Sequence, residues 1–252
     1  MAPGRMGKAD LHVHSSEGDG ADSVDAILEH VQAKTDLDVI AITEHDCLEV
    51  ALAARERWAR RRYRFDFVPG VEVTTLEGHL VALFVEEPVP SLRRVEETVE
   101  AVQRQGGVCF VPHPMSWLTR SIGLRTMERV FAGGLRFDGI ELASASPTAA
   151  FYLRKARRLN EERLRLPWVG ASDAHFVEAI GTGYTIFEGR SAADLRQAFL
   201  EGSVRGGQTA FPALRQVGLR RALRVPLAGL GATPRRLGWR RTTWSFVSRY
   251  LP

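Results

Sequence analysis

Asp10-Leu11-His12-Val13-His14-Ser15 opens the first apolar segment of the chain, and its reading governs everything that follows. The two histidines stand two residues apart. On an extended strand, residues i and i+2 project from the same face, which puts His12 and His14 side by side at a strand end. Two converging imidazoles with Asp10 beside them are the beginning of a metal site. An isolated pair of this kind is as often an accident of the surface, so the positions of the other histidines decide the matter.

Working outward, apolar and amphipathic runs alternate. Leu11–Val13 is predicted to be a strand and Ser23–Ala33 a helix capped by Ser23. The β-branched run Val39–Thr43 reads as a buried strand, and the stretch from Leu48 to Arg62 as a helix. Phe65–Thr74 and His79–Phe84 read as two strands of a hairpin turning at Leu76-Glu77-Gly78. Helices follow at Ser91–Arg104, near Arg125–Phe131, at Thr148–Leu159 and at Ser191–Leu200. The intervening strands are Val108–Val111, Gly139–Leu142, Trp168–Ala171 and Tyr184–Phe187. Roughly seven strands alternating with helices predict an α/β barrel or sheet built of parallel βαβ units.

The 252 residues suit one barrel-sized domain, and 44% hydrophobic residues suffice for a substantial core. The short polar start, Met1 to Ala9, is not a signal peptide, and no run reaches the roughly 18 apolar residues of a membrane-spanning helix. Two cysteines, Cys47 and Cys109, cannot build a disulfide framework, which suits a cytoplasmic protein. The net charge of +4 is unevenly spread: the first 202 residues hold 24 basic and 30 acidic side chains, while ten arginines fall between Arg205 and Arg249. The positive excess therefore belongs to the tail. That segment also carries Trp239, Trp244, Phe246 and Tyr250, with a possible basic amphipathic helix at Val217–Val225. Packing on the barrel and binding an anionic partner, nucleic acid or membrane surface, are equally good readings of it.

Six of the seven histidines fall at predicted strand ends. His12 and His14 follow the first strand, His45 the second, and His79 opens the hairpin's second strand. His113 follows Val108–Val111, and His175 follows Trp168–Ala171. His30 alone lies inside a helix and reads as surface. In an α/β barrel the carboxyl ends of the strands share one rim, where active sites are built. Six histidines converging there with Glu72 and Asp173 form a ligand set for Zn²⁺, Mn²⁺ or Fe²⁺ rather than for Mg²⁺ or Ca²⁺, which prefer all-oxygen shells. Their number exceeds the needs of one ion, so two or three are expected.

The ordered series Asp10–Ser15, Ile42-Thr43-Glu44-His45-Asp46, Gly70-Val71-Glu72, Gly78-His79, His113-Pro114 and Ser172-Asp173-Ala174-His175 resembles the motifs of the polymerase and histidinol phosphatase (PHP) superfamily. The resemblance covers about residues 8–211 and implies a distorted (β/α)7 TIM-like barrel with metals at its rim. A division follows into a phosphoesterase domain over 1–211 and a basic C-terminal extension over 212–252. The resemblance further implies that His12, His14, Glu72 and Asp173 hold one metal, with Glu72 bridging to a second bound by His79 and His113. A third would be held by Asp19, His45 and His175, with Glu17 competing for the place of Asp19. The family commonly has Asp where this chain has Glu44, which is tolerable if that residue only orients His45.

The activity implied is hydrolysis of phosphomonoesters or short phosphodiesters, of a nucleotide or small molecule, by a metal-activated water. Alternatives are an exonuclease on short RNA or DNA ends and a non-catalytic metal-binding regulatory module. Arg120 is the candidate phosphate clamp, because a guanidinium matches phosphate oxygens bidentately; a surface arginine is an equal reading. Glu141 and Asp46 could orient ligands or carry protons. No G-x-S-x-G elbow and no glycine-rich nucleotide loop is present.

Overall fold

Among the described residues the strands are β1 (Met6–Asp10), β2 (Val39–Ile42), β3 (Asp66–Thr74), β4 (His79–Leu83), β5 (Val108–Val111), β6 (Gly139–Ala143), β7 (Trp168–Gly170), β8 (Gly183–Glu188) and β9 (Arg205–Gln208). They lie in one sheet in the order β7-β6-β5-β4-β3-β2-β1-β8-β9. The structure, a computed structural model, describes residues 5–218. Most of the expected C-terminal extension, including its aromatic and arginine-rich part, lies outside the described residues.

The sheet curls into a nearly closed barrel. Edge strand β7 meets β8 where the Gly170 amide donates to Thr185 Oγ1 at 3.2 Å, and that hydroxyl donates to Gly170 O at 2.8 Å. Glycine is required at this seam. A Cβ on Gly170 would stand 2.0 Å from Tyr184 O, and one on Gly183 would stand 2.0 Å from Ala171 O.

Helices α1 (Val24–Lys34), α2 (Leu48–Ala59), α3 (Val95–Arg104), α4 (Leu124–Ala132) and α5 (Leu153–Leu159) follow the barrel strands. Ser23 caps α1, its hydroxyl accepting from Ala26 N. Outward-facing Ile40 and Ile42 pack with Ile27, Leu28 and Val31 of α1. Val71, Val73, Cys109 and Val111 pack with Val95, Val99 and Val102 of α3. The alternate residues Val39, Ala41, Val68, Val81, Val108, Phe110 and Val169 fill the barrel. Each such side chain, fully buried, contributes about 1.5–3 kcal/mol. Helix α6 (Ala192–Glu201) joins that interior through Leu195, Ala198 and Phe199, and a final turn, α7 (Leu214–Val217), follows.

Three expectations need correction. The sheet is mixed beyond the expected β3–β4 hairpin: β4 also runs antiparallel to β5, and β8 runs antiparallel to β1 and β9. Reversal of β4 is what puts His79, which opens its strand, at the rim reached by the ends of β3 and β5. The first strand is Met6–Asp10 rather than Leu11–Val13, although Val13 continues in single-bridge contact with Ala174. β9, Arg-Gly-Gly-Gln, has no apolar pattern and was not expected; its Gly206 and Gly207 let the strand approach Val169 and the Tyr184 ring. Among the described residues no helix is long and apolar enough to cross a membrane.

Candidate metal centre

Glu72 is the hub of the rim. It lies on the same inward face of β3 as Val68, four residues earlier, and it is 1% exposed. One carboxylate oxygen, Oε2, stands 3.2 Å from His12 Nε2, 3.4 Å from His14 Nε2 and 3.1 Å from His45 Nδ1. The other, Oε1, is 2.8 Å from His79 Nδ1 and 3.0 Å from His113 Nε2. Five imidazoles thus share one buried carboxylate.

Two further acids complete the ring. Asp173 Oδ1 lies 3.5 Å from His12 Nε2 and 3.4 Å from His14 Nε2. Asp19 Oδ2 lies 3.6 Å from His45 Nε2 and 3.4 Å from His175 Nε2, while its Oδ1 is 3.6 Å from His14 Nδ1. Asp19 is buried whereas Glu17 is exposed, so the chain presents Asp19 to the cluster. Three-residue sets such as His12, His14 and Asp173, or His14, Asp19 and His175, place ligand atoms within 4.8 Å of one another.

Outer partners hold the rings in place. Glu141, inward-facing on β6 and fully buried, lies 3.3 Å from His12 Nδ1. His113 Nδ1 is 3.0 Å from Ser121 Oγ and 3.1 Å from Thr119 Oγ1, and Ser121 also donates to His113 O at 2.7 Å. Asp10 is not in the ring. It accepts from Ser172 N at 3.1 Å, Ser172 Oγ at 2.6 Å and Gly181 N at 2.7 Å, tying the end of β1 to the loop that carries Asp173. Burial pushes the Asp10 carboxyl up to about 6 against those donors.

Backbone strain concentrates here. His113 (φ 29°), Met115 (φ 60°), Asp46 (φ 55°) and Asp173 (φ 52°) all adopt positive φ without being glycine. Such conformations cost of order 1–3 kcal/mol each and persist where surrounding contacts dictate them.

Charge and desolvation oppose one another throughout the cluster. Burial disfavours protonated His12 and His14, yet the carboxylates of Glu72, Asp173 and Asp19 outweigh it and hold both rings well above the ordinary histidine range. The same attraction, against the same burial, holds Glu72 and Asp173 well below the carboxylate range. His45 moves the other way, to about 4: burial and its neighbours His14 and His79 outweigh Glu72.

The remaining candidates divide. Glu44 lies beside His14. Alternation along the chain turns it to the other side from His45, where Oε1 accepts from Ser15 N at 2.5 Å and Oε2 lies 3.8 Å from His14 Nδ1. Asp46 is also outside the ring: its carboxylate accepts from Thr74 N, Thr74 Oγ1 and Ser91 Oγ at 2.6–2.7 Å, bracing the hairpin. Arg120 is exposed beside the rim, its guanidinium donating to Thr75 O at 3.3 Å and its carbonyl accepting from His79 N. His30 is half-buried rather than on the surface. Sequence reasoning passed over Ser121, Thr119 and Tyr152. The buried Tyr152 hydroxyl is pushed up by burial and by the charges of Glu141 and Asp173. Nothing in the sequence marks these three out, since generic loop residues carry no spacing signal.

The ring's chemistry fits metal ions. Ligand atoms around a tetrahedral ion with bonds of about 2.0–2.1 Å lie roughly 3.3–3.4 Å apart, close to the nitrogen–oxygen separations above. His12 Nε2, both nitrogens of His14 and of His79, and Asp19 Oδ1 are also buried without a well-formed hydrogen bond. Buried polar atoms are ordinarily satisfied, so a group with several unsatisfied nitrogens needs another partner.

A nearly closed α/β barrel with imidazoles and carboxylates gathered at one rim defines a PHP-type TIM-like barrel. A family model described as PHP-associated matches residues 152–204. An uncharacterized protein of Methanocaldococcus jannaschii is 33% identical over 149 residues, covering 55% of this chain and 82% of that protein. Over residues 152–204 the chain is similar to PHP-associated proteins, and its barrel is of the PHP type. The 5'-3' exoribonuclease Rnm of Salmonella typhimurium is 32% identical over 88 residues, covering 33% of this chain and 30% of that enzyme. A two-domain protein of Bacteroides vulgatus containing a predicted PHP-like metal-dependent phosphoesterase shares the fold. That similarity has a TM-score of 0.67 and 19% identity, and covers 82% of this chain and 66% of the other.

Proposed function

We propose that the protein hydrolyses phosphate esters, using two or three divalent ions (Zn²⁺, Mn²⁺ or Fe²⁺) held at the barrel rim. The observation that carries this reading is the Glu72 carboxylate in contact with five imidazoles, several of whose nitrogens lack hydrogen bonds. His12, His14, Glu72 and Asp173 would hold one ion. The Oε1 side of Glu72 with His79 and His113 would hold a second, and Asp19, His45 and His175 a third. Bound there, such ions supply a water acidic enough to attack near neutral pH and the positive charge that phosphate oxygens require.

The chain's own residues prepare that chemistry. Glu141 accepts the hydrogen bond of His12 Nδ1–H, the tautomer whose Nε2 lone pair faces Glu72 and Asp173. Ser121 and Thr119 fix His113 in the same way, with Nε2 toward Glu72. Glu44 steadies His14 and the Ser15 amide. Arg120, exposed beside His79, is placed to contact a non-reacting phosphate oxygen.

Phosphomonoesters or short phosphodiesters of a nucleotide or small molecule are the substrate class. A second reading, an exonuclease on short RNA or DNA ends, is favoured by the likeness to the exoribonuclease over 88 residues. Phosphate release by metal-loaded protein, measured on an aryl phosphate, mononucleotides, a 3′,5′-bisphosphate, histidinol phosphate and short oligonucleotides, tests both. Metal-dependent turnover is expected on at least one class. Full metal loading with no turnover of any would instead favour a non-catalytic metal-binding module.

A further inference from the structure

Two rim segments stand out against the rest of the barrel. Residues 112–127 follow β5 and residues 142–160 begin at the end of β6, and neither contains a single Asp or Glu. They carry Arg120, Arg154 and Lys155, all exposed, in a body whose first 202 residues have an acidic excess. Each segment also exposes one large aromatic ring: Trp117 is 74% exposed and Phe151 67%. The rings meet across the two segments with centroids 6.2 Å apart and planes at 70°. A pair at that angle forms a corner with one open face and one edge, not a closed hydrophobic contact.

Both rings are anchored to the candidate metal centre. Trp117 is four residues from His113, so their Cα atoms are no more than about 14 Å apart. The turn between them is pinned by Ser116 N donating to His113 O and by Ser121 Oγ donating to the same oxygen. Phe151 adjoins Tyr152, which is buried. An exposed aromatic face beside uncompensated cations is the arrangement that binds nucleobases by stacking while tracking their phosphates.

We infer that the Trp117–Phe151 corner is a stacking site for the base of a nucleotide or single-stranded nucleic acid whose phosphate ester enters the rim. This rests on the phosphoesterase reading and narrows its substrate to esters that carry a base. Stacking alone tolerates any base, so selectivity is for the presence of the ring and not its identity.

The test uses metal-loaded protein and two readouts. Binding of 2-aminopurine riboside 5′-phosphate is followed by its fluorescence, and kcat/KM is compared for AMP against ribose 5-phosphate. The wild type is expected to quench 2-aminopurine, and Trp117→Ala to weaken that binding about tenfold, the size of one lost base stack. The AMP to ribose 5-phosphate ratio of kcat/KM should fall by a similar factor through KM, with Trp117→Phe restoring most of it. No quenching by the wild type overturns the inference, as does an unchanged ratio in an enzyme that hydrolyses both esters. Trp117-dependent quenching by metal-loaded protein that hydrolyses none of the esters, the aryl phosphate, bisphosphate and oligonucleotides included, would leave the corner standing and remove the phosphoesterase reading instead.

Discussion

The two ends of the barrel handle charge in opposite ways. At the end covered by α6, charged groups meet as separate pairs, each with at least one exposed partner. Lys8 Nζ meets Asp36 at 2.5 Å with side chains 36% and 75% exposed, Arg190 pairs with Asp38, and Asp66 accepts from Ala192 N. At the rim, three carboxylates and six imidazoles are drawn together, six of the nine buried, on a backbone that includes four strained non-glycine residues. Exposed pairs contribute little to stability. Buried unpaired charge costs much more, and a fold retains it where function requires it. The contrast teaches that one end is arranged for stability and the other for binding.

Substitutions can break or sharpen that contrast. The largest effect is expected from Glu72→Gln, which removes the charge shared by five imidazoles. Metal content should fall by at least one ion per chain, and ester hydrolysis by more than the ~100-fold typical of residues that only support a ligand. Glu141→Ala should leave the ligand set intact but free the His12 ring, weakening metal affinity about 10- to 100-fold in an equilibrium titration. Asp46→Ala separates rim from site: losing three donors' acceptor should destabilise the fold by about 1–3 kcal/mol in denaturant unfolding while metal stoichiometry holds. A loss of bound metal in that variant would place Asp46 in the centre after all. Smallest of all, Lys8→Ala at the opposite end should shift stability by less than about 1 kcal/mol.

Much of this was legible in the sequence because strand ends punctuate the histidines. His12, His14, His45, His113 and His175 each follow an apolar run, and the structure brings all five together with His79 and Glu72. The hairpin was legible from Leu76-Glu77-Gly78 and appears with Thr74 opposite His79. Other features were not, for physical reasons. β9 lacks an apolar alternation because close backbone approach, not side-chain burial, holds it in place. Glu44 and Asp46 flank His45 in sequence, but neighbouring residues point apart: Glu44 reaches Ser15 and His14, and Asp46 braces the hairpin at Thr74. Trp117 and Phe151 are 34 positions apart, and only the folded loops make them neighbours.

The most direct test of the account is the metal stoichiometry of stripped protein titrated with Mn²⁺ or Zn²⁺. The wild type should bind two or three equivalents per chain and Glu72→Gln fewer. No tight binding, or the same stoichiometry in both proteins, would contradict it.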